Sequence, residues 1–231
     1  RVVRRTAGAS LVDLGDGVLA VEFHSKMNAI GGDTLQMLHA GLKEAAASFA
    51  ALVIGNDAPD FSVGANLMLV LLEAQEGNWD EIDLMVRAFQ KTTMAIKTAP
   101  IPVVVAPAGL ALGGGCEICL HADRVQAAAE TYMGLVEVGV GLIPAGGGTK
   151  EMLLRAVDLA GGRDTRAGVQ AVFEAIGFGK VSTSGADARR IGYLRDVDAV
   201  TMNRERVIAD AKARALARVR EGYQPPERRA A

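Results

Sequence analysis

Cysteine and histidine are scarce in this 231-residue sequence, with two and three copies, and the charge is nearly balanced at a formal net value of −2. Cys116 and Cys119 form a C-x-x-C pair, but no second cysteine pair exists and no histidine completes a zinc-finger spacing. We therefore expect buried, reduced thiols and no metal site. Acidic and basic residues are interspersed over most of the length, which gives no indication of nucleic-acid binding.

A long charge-free hydrophobic run is also missing. The nearest candidate, residues 101–120, contains Pro102, Pro107, four glycines and Glu117, which a lipid-spanning helix tolerates poorly. We expect no membrane span, no secretory signal and a cytoplasmic location. The sequence begins with Arg1 and not Met, so we expect a chain that is processed, trimmed or cut from a longer polypeptide.

Strands and helices alternate in the first 130 residues. A hairpin is predicted over residues 10–14 and 18–23, and buried strands are predicted over residues 51–55, 103–106 and 124–128. Helices are predicted over residues 33–49 (capped by Asp33), 67–75 (capped by Asn66 or Ser62), 79–98, 114–122, 149–157, 169–176, 185–191 and 204–220. Because only helices follow residue 130 in this prediction, the sequence indicates an α/β core with a helical C-terminal part.

The glycine-rich stretch 111–117 is the strongest local candidate for a binding site. Three consecutive glycines, 113–115, remove all side chains just before a predicted helix, so a ligand can approach the backbone N–H groups directly. Glu117 then falls in the first helical turn, where the helix dipole favours the charged carboxylate and burial favours the neutral acid. Residue types alone leave a second interpretation equally open, which is a tight turn followed by an ordinary N-terminal charge.

Other motifs fail on their spacing. Residues 139–144 have proline in place of the third glycine of a dinucleotide fingerprint, and residues 147–150 carry P-loop letters in the wrong order. His121-x-Asp123 lacks a third metal ligand. Two glutamates remain, Glu117 and Glu137, each in an apolar, glycine-containing neighbourhood. A carboxylate pair can divide the roles of acid and base, although spacing alone does not show that these two face each other.

A set of three motifs resembles the enoyl-CoA hydratase/isomerase, or crotonase, superfamily. They are Phe61-Ser-Val-Gly-Ala-Asn-Leu67, Ala111-Leu-Gly-Gly-Gly-Cys-Glu117, and Glu137 followed by Gly141-Leu-Ile-Pro-Ala-Gly-Gly-Gly-Thr149. The resemblance implies an α/β crotonase spiral of ββα units over residues 1–160, which holds an acyl-CoA site. It also implies a helical region over residues 161–231 that mediates trimerisation and ends in a linker.

The resemblance assigns chemistry to four of these residues. The N–H groups of Ala65 and Gly114 would form an oxyanion hole for the thioester oxygen. Glu117 would activate a water for attack at the β-carbon, and Glu137 would deliver a proton to the α-carbon. Having both glutamates favours hydration, whereas relatives that only move a double bond typically keep the residue that matches Glu137.

The same resemblance identifies substrate contacts and partners. Residues 25–30 match a loop that contacts adenine and pantetheine, and the expected substrate or CoA contacts are Lys26, Asn28, Ala29, Ser62, Val63, Leu67 and Ala145. No cofactor is expected beyond the CoA of the substrate. We expect an enoyl-CoA hydratase of fatty acid β-oxidation, with a double-bond isomerase or a non-catalytic acyl-CoA binding module as alternatives. A homotrimer or dimer of trimers is implied, and the missing Met and the Pro-Pro sequence near the C-terminus suggest a hydroxyacyl-CoA dehydrogenase domain in the parent chain.

Three positions depart from the family pattern. Asn66 stands where aspartate is common, which changes the local charge but leaves the Ala65 amide in place. Ala145-Gly146 reverses the usual order after Pro144, beside the expected catalytic water. The segment 158–168 is longer than usual, which affects the acyl pocket or the subunit contact.

Overall fold

A computed structural model describes residues 1–227, and the last four residues of the expected linker, 228–231, lie outside the described part. The strands are β1 (Val2–Arg5), β2 (Ala9–Asp13), β3 (Val18–Phe23), β4 (Ala51–Gly55), β5 (Val103–Ala106), β6 (Gly109–Leu112), β7 (Arg124–Ala128), β8 (Thr131–Gly134) and β9 (Ala199–Thr201). The helices are α1 (Gly32–Ser48), α2 (Leu67–Glu76), α3 (Trp79–Lys97), α4 (Gly114–His121), α5 (Gly148–Ala160), α6 (Arg166–Gly177), α7 (Gly185–Ile191) and α8 (Val207–Arg220). Short 3₁₀ turns occupy Lys26–Asn28, Glu137–Val140 and Arg204–Arg206.

Two sheets organise the chain. The larger has seven strands in the order β1-β2-β3-β4-β5-β7-β9, antiparallel as far as β3 and parallel from β3 onward. The smaller consists of β6 and β8, paired in parallel. Every residue of β4 and β5 is buried because both faces of this part of the sheet are covered. Leu52 and Ile54 face the main core, whereas Val53 faces a second core cluster that includes residues of α8.

The smaller sheet places the glycine-rich stretch. After β5, the chain passes through Pro107 into β6, and α4 begins at Gly114 immediately after that strand. Isolated parallel bridges join Ser62 to Ala111 and Ile30 to Ala65. The segment 61–65 therefore lies between β6 on one side and the end of the 25–30 loop on the other.

Many sequence predictions are confirmed. The hairpin turns through Gly15, Asp16 and Gly17, which all have positive φ. The strands predicted at 51–55, 103–106 and 124–128 are present, and Asn66 caps α2 by accepting a hydrogen bond from Met68 N at 3.2 Å. The two cysteines are free and buried, as expected.

Other predictions are wrong. The expectation that only helices follow residue 130 misses β8 and β9, and β6 is also missed. These strands have only three or four residues, so their side-chain alternation is too short to register as a pattern. Asp33 does not cap α1, because Gly31 holds that position and the Asp33 carboxylate accepts from Thr34 N inside the first turn. Helix α5 continues to Ala160, past its predicted end.

Between residues 1 and 227, no helix is both long and apolar enough to cross a membrane.

Candidate active site

Two adjacent backbone amides form the centre of the site. Gly64, with φ +92°, lies against α4 so closely that a Cβ at this position would be 3.0 Å from both Gly114 N and Leu112 O. Gly64 O accepts from Ile30 N at 2.8 Å, which fixes the peptide that leads into Ala65. Neither Ala65 N–H nor Gly114 N–H has a backbone acceptor within the described part of the chain. Both donors are therefore available to a ligand oxygen, although the Ala65 and Gly114 roles stay predictions.

The three glycines 113–115 are required by close packing as well as by ligand access to the backbone. Gly113 has φ +52°, and its N–H donates to Gly134 O at 2.8 Å, which ties the start of α4 to β8. A Cβ at Gly115 would lie 2.8 Å from Ser62 O. Both interpretations of the stretch therefore hold, because the same bare backbone makes the tight turn and leaves the Gly114 amide accessible.

Glu117 is buried, with 2% relative exposure, in the first turn of α4. Its Oε1 accepts from Gly148 N at 2.8 Å. The pKa of Glu117 is raised to about 7. Burial is the main cause and the charge of Glu137 adds to it, whereas the Gly148 and Gly146 amides favour the carboxylate and oppose the rise. A carboxyl with this pKa exchanges a proton readily at neutral pH, as a general base or acid must.

Glu137 begins a 3₁₀ turn on the other side of the glycine stretch. Its Oε1 would lie 3.3 Å from a Cβ at Gly113, so the carboxyl sits over the residue that precedes Gly114. Burial raises the pKa of Glu137 against the backbone N–H groups of Glu137 and Val136, and Oε2 is buried without a hydrogen-bond partner. The structure thus brings Glu137 beside the start of α4, which carries Glu117 and the Gly114 amide, although β7 and β8 lie between them in the sequence.

Helix α3 fixes the loop that faces Glu117. Thr93 Oγ1 donates to Gly146 O at 2.8 Å, and Gln90 Nε2 donates to Ala145 O at 2.9 Å. Phe89 packs so closely on Gly146 that a Cβ there would meet its ring carbon Cε1 at 2.3 Å. Sequence reasoning missed Thr93 and Gln90, because a polar residue on an amphipathic helix gives no signal of a partner more than fifty positions away.

The expected CoA contacts lie in different environments. Lys26 and Leu67 are exposed, and Ala29 and Val63 are half-buried. Asn28 and Ser62 are buried, however, and their side chains bond within the protein. Asn28 Nδ2 donates to Asp60 O at 2.9 Å, and Ser62 Oγ donates to Asn28 O at 2.7 Å. These two side chains therefore hold the loops in place, while Ala145 stays exposed near Glu117.

An apolar surface follows directly after Ala65. Helix α2 has the sequence LMLVLL over its first six residues, and none of its residues is buried. Within residues 1–227, no three His, Cys, Asp or Glu side chains are placed to share a metal ion. The chemical groups of the site are thus two carboxyls, two free amides and an adjoining apolar surface.

The sequence matches one family of known proteins. Residues 13–214 match the family described as Enoyl-CoA hydratase/isomerase. A Bacillus subtilis (strain 168) protein named "Probable 3-hydroxyacyl-CoA dehydrogenase" is 48% identical over 225 residues, which cover 97% of this chain but only 28% of that protein. Two putative fatty acid oxidation complex trifunctional enzymes from Rickettsia are matched over 22% and 28% of their lengths.

Solved structures show the same fold. An enoyl-CoA hydratase from Bacillus anthracis has a TM-score of 0.72 at 22% identity, covering 93% of this chain and 76% of that one. A putative enoyl-CoA hydratase from Streptomyces coelicolor A3(2) has a TM-score of 0.76 at 22% identity, covering 91% and 72%. The chain has the crotonase fold and belongs to the enoyl-CoA hydratase/isomerase family.

Proposed function

We propose that this chain is an enoyl-CoA hydratase, which adds water to the double bond of a trans-2-enoyl-CoA and gives the 3-hydroxyacyl-CoA, as in fatty acid β-oxidation. The observation that supports it most is the convergence of two glutamates with raised pKa values beside the free Gly114 amide. Hydration needs a base for water, an acid for carbon and donors for the thioester oxygen, and the three are adjacent.

The reaction would proceed in the following way. The thioester oxygen accepts hydrogen bonds from Ala65 N–H and Gly114 N–H, which stabilise the negative charge that develops on it. Glu117 takes a proton from water as the water oxygen bonds to the β-carbon. Glu137 gives its proton to the α-carbon, and the double bond becomes a single bond. The product carries one added water, and the proton on Glu117 is returned to Glu137 or exchanged with solvent.

Burial raises the pKa of both carboxyls. Glu117 has a pKa of about 7, so a substantial fraction of it is ionised at neutral pH. Burial also raises the pKa of Glu137, whose Oε2 has no hydrogen-bond partner. Because the charge of Glu137 also raises the pKa of Glu117, the pair prefers to carry one proton between them. That singly protonated form is the one the reaction requires.

A second candidate reaction is isomerisation of a 3-enoyl-CoA to a 2-enoyl-CoA. It is favoured by one observation, which is that Glu137 has a buried oxygen without a partner, whereas Glu117 Oε1 is already engaged by Gly148 N at 2.8 Å. A single carboxyl can remove a proton from the α-carbon and return one to the γ-carbon. In that case Glu117 serves only to hold the loop 146–148.

Purified protein separates these reactions. With crotonyl-CoA and longer trans-2-enoyl-CoAs, hydration is followed as the loss of the enoyl-thioester absorbance, and the product is identified by mass. We expect turnover that falls by ~100-fold or more in both Glu117→Gln and Glu137→Gln. An isomerase instead keeps its turnover in Glu117→Gln and converts 3-enoyl-CoA to a product of the same mass. Calorimetric binding of acyl-CoA with no turnover of either substrate would indicate a binding module and overturn the proposal.

We also propose that this chain works as the hydratase part of a longer polypeptide, and that it assembles as a trimer. The first point rests on the Bacillus subtilis relative, of which this chain spans 28% and whose printed name is that of a dehydrogenase. The second rests on apolar side chains left exposed on the C-terminal helices, such as Leu159 and Phe173, which are 74% and 73% exposed. Light scattering after size exclusion gives the mass of the assembly, and a monomer at micromolar concentration contradicts the trimer.

A further inference from the structure

A group of ionisable side chains, two of them buried, lies on the side of Glu117 away from Gly113. It consists of His121, Glu151, Lys97 and Lys150, and we call it the His121 cluster. Glu151 is 4% exposed and accepts from Lys97 Nζ at 2.6 Å, with Lys150 Nζ at 2.9 Å. His121 is 1% exposed, and its Nε2 lies 3.6 Å from Glu151 Oε1 without a hydrogen-bond partner.

The orientation of the His121 ring follows from its one hydrogen bond. Nδ1 lies 2.7 Å from Glu117 O, one helical turn earlier on α4. A carbonyl oxygen can only accept, so Nδ1 carries the hydrogen. Burial lowers the pKa of His121 to about 4, which leaves the ring neutral with a lone pair on Nε2. Two acceptors, Nε2 and Glu151 Oε1, therefore face each other, and the lysines compensate the carboxylate. Such an arrangement is unusual for a side chain that serves only to fill the core.

The ring also contacts the turn that binds Glu117. A Cβ at Gly147 would lie 3.0 Å from both Cε1 and Nε2 of His121, so the ring rests directly on this glycine. Gly147 has φ +101°, and the next residue is Gly148, whose N–H donates to Glu117 Oε1 at 2.8 Å. Gly147 O in turn accepts from Glu151 N at 3.0 Å. The ring thus fills the space between α4 and the turn that opens α5.

We propose that His121 is a positioning residue for Glu117. Its ring sets the separation between α4 and the Gly147–Gly148 turn, and this separation keeps Gly148 N–H aligned on Glu117 Oε1. The proposal rests on the proposed function in one respect, which is that Glu117 acts as the base. When the ring is removed, the turn moves toward α4, the hydrogen bond weakens and the carboxylate form of Glu117 loses a stabilising donor.

Removal of the ring leaves the other charges around Glu117 in place. They are Glu137 on the 3₁₀ turn, Lys97 on α3, and Glu151, Lys150 and Arg155 on α5. Cys116 on α4 is a neutral thiol, because burial raises its pKa. A neutral ring contributes no net charge itself. A change in the titration of Glu117 after His121→Ala therefore reports the loss of the hydrogen bond and not the loss of a neighbouring charge.

The experiment uses His121→Ala and a matched control, Leu120→Ala. Leu120 is the preceding residue of α4, is buried at 2% exposure and packs in the main core. The atoms nearest to a Cβ at Gly147 belong to His121 and Lys150 and not to Leu120. The carboxyl ¹³C resonance of Glu117, assigned by its loss in Glu117→Gln, is titrated without substrate in protein labelled at glutamate carboxyls. We expect His121→Ala to raise the Glu117 pKa by about one unit, the size of a lost charge-assisted hydrogen bond, and Leu120→Ala to leave it unchanged.

Turnover gives the second measurement. In His121→Ala the acid limb of kcat against pH moves upward by about one unit, and kcat at pH 7 falls about fivefold while KM changes less than about threefold. If His121→Ala does not fold, His121→Gln keeps a polar side chain of similar size and gives a smaller shift in the same direction. Equal pKa values in wild type and His121 variants, or equal shifts in Leu120→Ala, overturn the proposal. The resonance is titrated without substrate, so this measurement tests the role of His121 even if the chain has no hydratase activity. Absence of activity would contradict only the proposed function.

Discussion

Replacement of Glu117 by Gln is expected to stabilise the protein while it removes activity. The pKa of Glu117 rises from 4.5 to about 7 on folding, so the folded chain resists its ionisation. A raised pKa in the folded state contributes stability below pH 4.5 and loses it as the pH rises through 7. At ~1.4 kcal/mol per pKa unit, the rise from 4.5 to about 7 lowers the free energy of unfolding of wild type by ~3 kcal/mol at pH 8.

Gln is neutral at every pH and keeps an oxygen for Gly148 N–H, but its amide nitrogen faces the loop at Gly146. The Cβ position of Gly146 lies 2.6 Å from Glu117 Oε2, so the Gly146 backbone N–H loses its acceptor in the variant. We set the cost of this lost hydrogen bond at ~1 kcal/mol. The net expectation is a gain of ~2 kcal/mol in the free energy of unfolding at pH 8. At pH 5 the folded carboxyl is already protonated, and the gain disappears.

Urea denaturation of wild type and Glu117→Gln at pH 5 and pH 8, followed by circular dichroism, measures both values. Glu130→Gln is the control, because Glu130 is exposed in the turn before β8 and the substitution removes the same charge. A variant that is less stable than wild type at pH 8, or a difference that does not change between pH 5 and pH 8, refutes the reasoning. It would mean that Glu117 is not held at a raised pKa by burial.

Three further predictions follow from the site. Gly64→Ala places a Cβ 3.0 Å from Gly114 N in a residue with φ +92°. We therefore expect kcat to fall by ~100-fold or more while the far-ultraviolet circular dichroism spectrum stays unchanged. Normal turnover in this variant contradicts the placement of the two amides. Thr93→Val leaves Gly146 O without its donor and is expected to lower the free energy of unfolding by ~1–2 kcal/mol in urea titrations. An unchanged free energy of unfolding contradicts a stabilising role for this hydrogen bond. The profile of kcat/KM against pH is expected to be bell-shaped, because hydration needs one of the two carboxyls ionised and the other protonated. A profile with one limb assigns the chemistry to a single carboxyl.

The elements with strong periodicity were predictable from sequence. Helix α3 and the buried strands β4, β5 and β7 have long amphipathic or continuous apolar patterns, and their predicted bounds agree with the structure within one residue. Strands β6, β8 and β9 were not predictable, because each is held by a parallel partner distant in sequence and not by its own pattern. The α4 start at Gly114 was predictable because three glycines before a helical segment mark a turn.

The site was predictable only in part. Residue types indicated Glu117 and Glu137 as candidates, but their approach depends on β8 carrying the chain back beside Gly113. The resemblance of short motifs to a family supplied what periodicity could not. It did not indicate Thr93 or His121, since neither lies in a motif and both act through contacts made by the folded chain.

The two isolated bridges at segment 61–65 have a consequence for substrate affinity. Gly64 O is bonded to Ile30 N at 2.8 Å, Ser62 O accepts from Leu112 N at 2.9 Å, and Ser62 Oγ donates to Asn28 O at 2.7 Å. Segment 61–65 is thus hydrogen-bonded to its neighbours along both edges in the absence of substrate. Its conformational entropy is lost when the chain folds and not when substrate binds, so ordering this loop takes nothing from the binding free energy of the acyl-CoA.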